Sequence, residues 1–285
     1  MKDRSDVAFL ITAFDQIREC RFTIDMLRKK WTSTRKSPII LVVSGDFDRT
    51  LIYNDDPFTR VVHLDDMVRD KFKILVSTSI ARQIEHGMIE VRDLEREHGA
   101  INSIVHLHGD ILLLGEEGFF KTLDDWRASG LPVAADPVSP NGPHHLDLFG
   151  KKYRLSFHGQ ELMPQLFAVD HAFCKATTYM YSMPVMGDLE EKATEWMLIG
   201  NLHRVQAHLQ NLRFNLNKWD KPIGPYFSTY TGSVYTVKRG RQQWGLHNHW
   251  GGFCHFGNSI HYSKEHRERR NEAALRQYNL DLEAW

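Results

Sequence analysis

Charge of either sign in excess is missing from this chain of 285 residues: 36 Lys and Arg face 36 Asp and Glu. That balance argues against a general nucleic-acid or acidic-membrane binder, while a local basic groove for a nucleic-acid acceptor is left open. Cysteine is scarce. Cys20, Cys174 and Cys254 are odd in number and lack paired metal spacing, which excludes a disulfide framework and fits a reducing compartment. No apolar run reaches the length of a membrane-spanning helix, so no span is expected. The opening Met-Lys-Asp-Arg-Ser-Asp leads into a short apolar run without a cleavage pattern, and the expectation is a cytoplasmic protein. Internal repeats and low-complexity segments are lacking as well.

What is present is an ordinary globular composition, 42% hydrophobic and 25% charged, with an unusual stretch at its centre. Asn102–Leu114 carries the apolar content of a buried strand in Ile104, Val105, Leu107 and Ile111–Leu114. His106, His108 and Asp110 interrupt it two residues apart, which on an extended chain puts all three on one face. Gly109 permits close approach of a ligand or another backbone. Three ligand-type side chains on a buried strand are costly without a shared partner, so the strand is expected to end at a site.

The order of strand, x-Gly-Asp and second apolar run resembles the metal and nucleotide-sugar motif of GT-A-fold glycosyltransferases. In that family an Asp-x-Asp ends a central strand, and its last carboxylate holds a divalent cation on the donor's diphosphate. Asp110 matches that last Asp, and His108 replaces the first. The resemblance implies an α/β fold with a mixed, mainly parallel sheet flanked by helices, in one domain over 1–285. Residues 1–135 would bind the nucleotide-sugar, and 136–285 would form the acceptor-binding and C-terminal part. His106-x-His108-x-Asp110 is also the opening of the signature of metallo-β-lactamase-like hydrolases, although Ile111 stands where that family has His. A zinc hydrolase using the histidine cluster is therefore the alternative. A non-catalytic nucleotide-sugar or glycan binder is a third reading.

Along the chain, Val7–Phe14 reads as a buried strand, Ile17–Trp31 as a helix and Pro38–Val43 as a second strand, a β-α-β opening of a parallel sheet. By the resemblance, Thr12, Ala13, Phe14 and Asp46 are candidates to hold the donor base. Val61–Leu64 is a short strand candidate, and Lys71–Val76 another. Ile80, Ile84, Met88, Val91 and Leu94 mark the amphipathic helix Ile80–His98, stopped by Gly99. The resemblance places Arg82, Gln83 and His86, near its start, towards the donor. Glu116–Ser129 is a helix ended by Gly130, Leu131–Ala135 a strand, and Asp136–Gly150 a long loop with a His144-His145 pair. Leu166–Val169 is a strand running into Asp170 and His171, which with Glu161 are acceptor-side candidates, Asp170 also as a base.

Asp188–Leu212 reads as a long helix with an acidic start. Inverting GT-A enzymes often place a carboxylate base near such a start, which makes Glu190, Glu191 and Glu195 candidates, since an acceptor hydroxyl must lose its proton to a base within hydrogen-bond reach. Trp219 and Tyr226 open an aromatic segment, Asn217–Val237, of the kind that stacks on sugar rings. Gly245–Ser259 holds His247, His249 and His255 among glycines and reads as a ligating loop. Many GT-A enzymes complete the metal site with a late His, for which His255 fits best; His249 is an acceptor-side candidate as well. The metal set implied is Asp110, His255 and His108 around Mn²⁺ or Mg²⁺. The implied partners are a nucleotide-sugar and a glycan or other hydroxyl-bearing acceptor. Lys264–Gln277 reads as a charged covering helix.

Overall fold

The computed structural model describes residues 2–13, 16–44, 56–64, 75–113, 115–138, 144–148, 151–155, 161–176, 227–228, 230–239, 242–250 and 253–255, together with Glu265, Arg269 and Glu272. Strand β1 (Val7–Ala13) is buried at every residue, as a strand covered on both faces must be. Helix α1 (Ile17–Asp25) follows, widens into a π-helical turn over Met26–Lys30, and leads to β2 (Ile39–Ser44). β3 (Thr59–Leu64) is only half-buried and polar in part, which suits a sheet edge. Then come α2 (Leu75–His98), β4 (Ser103–His108), the two-residue β5 (Leu112–Leu113), α3 (Glu116–Ser129) and β6 (Val133–Val138). The hairpin of β7 (His144–Leu148) and β8 (Lys151–Leu155) precedes β9 (Glu161–Asp170) and α4 (His171–Ala176). Four late strands are β10 (Phe227–Ser228), β11 (Tyr230–Arg239), β12 (Gln242–His249) and β13 (Phe253–His255).

The main sheet has the order β10-β6-β9-β4-β1-β2-β3. Its pairings are parallel except where β9 runs antiparallel to β4 and β6. The chain is thus an α/β protein with a mixed, mainly parallel sheet flanked by helices. One face packs Phe9 and Ile11 against Phe22, Trp31, Phe119, Leu123 and Trp250; the other packs Leu10, Ile40 and Val42 against Ile84, Met88 and Val91 of α2. A second sheet, β11-β12-β13-β5, joins the late strands to the chain just after β4. Trp250, between β12 and β13, is fully buried at φ 60° and stacks on Phe119 with ring centroids 5.4 Å apart.

Several expectations need correction. The strand expected over Lys71–Val76 ends inside α2, which already includes Leu75 and Val76, because a short apolar run is equally good helix core. The central strand stops at His108, and Asp110 sits on the following turn, so strand alternation does not place it. The long loop over Asp136–Gly150 contains the end of β6 and all of β7, with His144 and His145 paired to Leu155 and Arg154. The segment Gly245–Ser259, read as a ligating loop, is strand over much of its length, in β12 and β13, whose antiparallel pairing bonds their backbone groups. The expected helix Asp188–Leu212 lies outside the described residues.

Candidate functional site

Strand order reverses at β1: β2 and β3 lie to one side, β4 to the other. The crevice at the carboxyl ends of parallel strands flanking such a reversal is where α/β sheets bind ligands. Thr12 and His108 are in register across it. His106, fully buried, shares a 3.0 Å hydrogen bond between its Nε2 and Thr12 Oγ1, with the donor set by the imidazole's tautomer. It packs against Phe167 at 4.8 Å and meets the His108 ring edge-on at 5.3 Å, while His108 itself is part-exposed.

The turn after β4 is clamped to the first β-α unit. Gly109 N–H donates to Thr12 O at 2.8 Å, Ile111 N–H to His108 O at 3.1 Å, and Thr23 Oγ1 to Ile111 O at 2.9 Å. A Cβ at position 109 would lie 2.9 Å from Ala13 Cβ and 3.0 Å from Cys20 Sγ. The close approach that Gly109 allows is therefore to the end of β1 and to α1. Asp110, 7% exposed, is held on this turn beside His108. From α2, the buried Gln83 donates through Nε2 to Ala13 O at 3.1 Å and to Ser44 Oγ at 2.8 Å, linking the ends of β1 and β2.

The late hairpin reaches the same edge. β13 pairs antiparallel with β5, Cys254 opposite Leu112, and the next residue in that direction is His255 on one strand and Ile111, neighbour of Asp110, on the other. His247 pairs with His255 and His249 with Phe253. The backbone thus brings His255 towards the Asp110 turn. Among the described residues no cluster of three or more His, Cys, Asp or Glu side chains is arranged to hold a metal.

Thr12, Ala13, His108, Gly109 and Asp110 converge at this edge. His86 is exposed on α2, one turn beyond Gln83, and Arg82 lies on the same helix. Asp170 and His171 do not join them. Antiparallel β9 sets Asp170 opposite Ser103, at the start of β4, so the two candidates occupy the other edge of the sheet. There Asp170 Oδ1 accepts the Phe173 N–H at 3.1 Å, and the buried His171 bonds Ile101 O through Nδ1 at 2.9 Å. These two candidates thus stand apart from the Asp110 turn. His106, the first residue of the hydrolase pattern, is committed to the core. Phe14, Asp46, Glu190, Glu191, Glu195, Trp219 and Tyr226 lie outside the described residues. The contacts that Cys20 and Thr23 make with the Gly109 turn were missed in the sequence; both lie within α1, three residues apart, a spacing that looks like ordinary core.

The amino edge differs in its electrostatics. Arg4 makes two bonds to Asp124, at 2.6 and 2.7 Å, and Arg127 pairs with Asp6 at 2.9 Å. The bond from Arg4 is the main influence holding the Asp124 carboxyl below its ordinary range. Burial would raise Glu95, yet the Lys175 ammonium, the nearby His171 and the Ile101 N–H together hold it low. Asp56 is similar: its burial is outweighed by bonds from Thr59, Arg28 and the Phe58 N–H.

No protein-family model matches the chain, and no curated protein does. Among solved structures it is similar to TarS from S. aureus, residues 1–349, at a TM-score of 0.42 and 10% identity over 70% of this chain and 55% of that one. The mannosyltransferase PcManGT from Pyrobaculum calidifontis, in complex with GDP-Man and Mn²⁺, gives 0.42 and 11% over 71% and 52%. The 4-diphosphocytidyl-2C-methyl-D-erythritol synthase from Anaerococcus prevotii gives 0.38 and 15% over 66% and 81%. The chain spans about half the length of the first two, 55% and 52%. The functional reading rests on this chain's own residues.

Proposed function

We propose that this chain transfers a sugar from a nucleotide-sugar donor to an acceptor hydroxyl, with the donor seated at the reversal between β1 and β4. The observation that carries the reading is the register of Thr12 with His108, followed at once by the clamped Gly109–Asp110 turn. It gives a crevice whose floor is hydroxyl, amide and imidazole and whose rim includes the Asp110 carboxylate. In the resemblance to GT-A enzymes, Asp110 takes the place of the metal-binding carboxylate.

The donor set fits a hard divalent ion: the Asp110 carboxylate, an imidazole from His108 or His255, and diphosphate oxygens suit Mn²⁺ or Mg²⁺. Such an ion supplies neutralisation of the charge that grows on the departing diphosphate. The chain's own contribution is orientation. Thr12 and the His108 ring border the ribose and diphosphate, and Gly109 keeps the turn tight against β1. Glu190, Glu191 or Glu195 is proposed as the base that takes the acceptor's proton. The acceptor groove is proposed to include Trp219, Tyr226 and His249.

The test is an assay of nucleoside diphosphate release from UDP-, GDP-, CDP- and ADP-sugars with Mn²⁺ or Mg²⁺, in the presence of simple glycans and polyols. One donor is expected to be turned over in a metal-dependent manner. Absence of both turnover and nucleotide binding across the panel removes the proposal.

A further inference from the structure

At the amino edge, the end of α3 and the starts of β4, β6 and α4 enclose a cleft of about 600 Å³. A space of that size holds a small organic ligand. Its walls are fixed by bonds already made. Trp126 Nε1 donates to Leu131 O at 2.7 Å, the Asp170 N–H to Pro132 O at 2.9 Å and the Asn102 N–H to Asp6 O at 2.8 Å.

The polar side of the cleft centres on the ion pair of Arg127 and Asp6. Arg127 Nε donates to Ser103 Oγ at 3.0 Å and Nη1 to Asp6 Oδ2 at 2.9 Å. Asn102 Nδ2 donates to the same Oδ2 at 3.1 Å. Arg127 Nη2 and Asp6 Oδ1 are buried and have no hydrogen-bond partner among the described residues. Each such atom costs about 1–3 kcal/mol until something bonds it. The two side chains as wholes are 22% and 25% exposed, so a small turn of guanidinium and carboxylate brings both atoms to the cleft.

A donor and an acceptor left over from one ion pair select a group that both accepts and donates. A hydroxyl does so, and vicinal hydroxyls do it with two oxygens. The charges lining the cleft point the same way. Lys2 and Arg127 are balanced by Asp6 and Asp170, which favours neither an anion nor a cation. Leu131, Pro132 and Phe173 make the remaining wall apolar, a surface for the C–H face of a saturated ring.

We infer that this cleft binds a neutral, hydroxyl-rich ligand of pyranose size, with the Asp6–Arg127 pair bonding its hydroxyls. It is separate from the proposed donor crevice, since Ser103 and His108 are the two ends of β4, about 17 Å apart. The inference therefore stands whether or not the chain is a transferase.

The experiment is saturation-transfer NMR and titration of the full chain with the methyl glycosides of glucose, galactose, mannose and N-acetylglucosamine. At least one is expected to bind with a dissociation constant on the order of millimolar, and to stay bound when UDP or GDP is added with Mn²⁺. Ala172→Leu, at an exposed cleft position on α4, fills the space and is expected to abolish binding. Arg127→Gln is expected to weaken binding about tenfold, the equivalent of one hydrogen bond, and thermal melts check that each variant is folded. Binding of none of the four glycosides, or unchanged affinity in either variant, overturns the inference. Displacement of the glycoside by phosphate or glycine overturns it too, because it marks an ionic site, and so does displacement by the nucleotides. Should Arg127→Gln fail to fold, Ala172→Leu and the displacement series decide.

Discussion

The two edges of the main sheet are built differently. At the amino edge the joints are ionic: Arg4 with Asp124, Arg127 with Asp6, Arg28 with Asp56, and Lys175 with Glu95. At the carboxyl edge the bonds described between β1, β2, β4 and α2 run among hydroxyls, amides and an imidazole. Fixed charge pairs hold backbone in place. Hydroxyl, amide and imidazole bonds order the strand ends with groups that can also bond a ligand. The two edges are thus held by different kinds of bond.

That division can be broken from either side. The largest effect is expected from Asp110→Ala, which should lower transfer on the order of a hundredfold or more, in line with loss of a group that organises transition-state charge. Its melting temperature should stay near the native value; a fully active variant with native metal dependence would end the assignment of Asp110. Next is Arg28→Lys at the opposite edge. Arg28 donates to Thr34 O, Ser37 O, Phe58 O, Thr59 Oγ1 and Asp56. An ammonium cannot reproduce that fork, and a loss of about 3 kcal/mol in urea unfolding is expected, with nucleotide affinity in the folded protein unchanged.

How far these edges could be read from sequence differs between them. The all-apolar run of β1, the three- and four-residue spacing of α2 and the stops at Gly99 and Gly130 followed from periodicity and turn chemistry, and both glycines have positive φ, 97° and 67°. The carboxyl edge was partly legible, because Thr12 and His108 end strands that hydrophobicity makes obvious. Asp110 was identified for an incorrect geometric reason, since alternation stops at His108. That Asp170 and His171 stand at the edge away from Asp110 was not legible, because apolar content does not reveal strand direction and β9 is antiparallel. The β12–β13 hairpin was unreadable as strands, because its Gly and His content hides a pairing set by partners far along the chain.

A smaller effect is expected from Gly109→Ala. The added methyl comes inside van der Waals contact of Ala13 and Cys20, at 2.9 and 3.0 Å, so the turn must shift, and it should cost about 1–2 kcal/mol while weakening nucleotide binding. Calorimetry and denaturant titration on the same preparation separate the two; a variant destabilised yet binding normally would show that the turn is not part of the site. The smallest effect is a pH dependence. Asp56 is held below its ordinary value in the fold, so its stabilising share is complete above the unfolded carboxylate range and lost as pH falls through the lowered folded value. Urea midpoints measured from pH 5 down to pH 3 should fall less steeply for Asp56→Asn than for the native chain, and identical slopes would remove Asp56 from that account.

The pairing of β5 with β13 has a consequence for how the molecule assembles. Leu112 and Cys254 are about 140 residues apart, whereas β1, β2 and β4 all lie before residue 109, and closing so long a loop comes late and slowly. The parallel core therefore forms ahead of the strand that carries His255. Because Trp250 stacks on Phe119, the hydrophobic interior itself closes only when the late hairpin arrives, so burial of that tryptophan reports the last stage of folding.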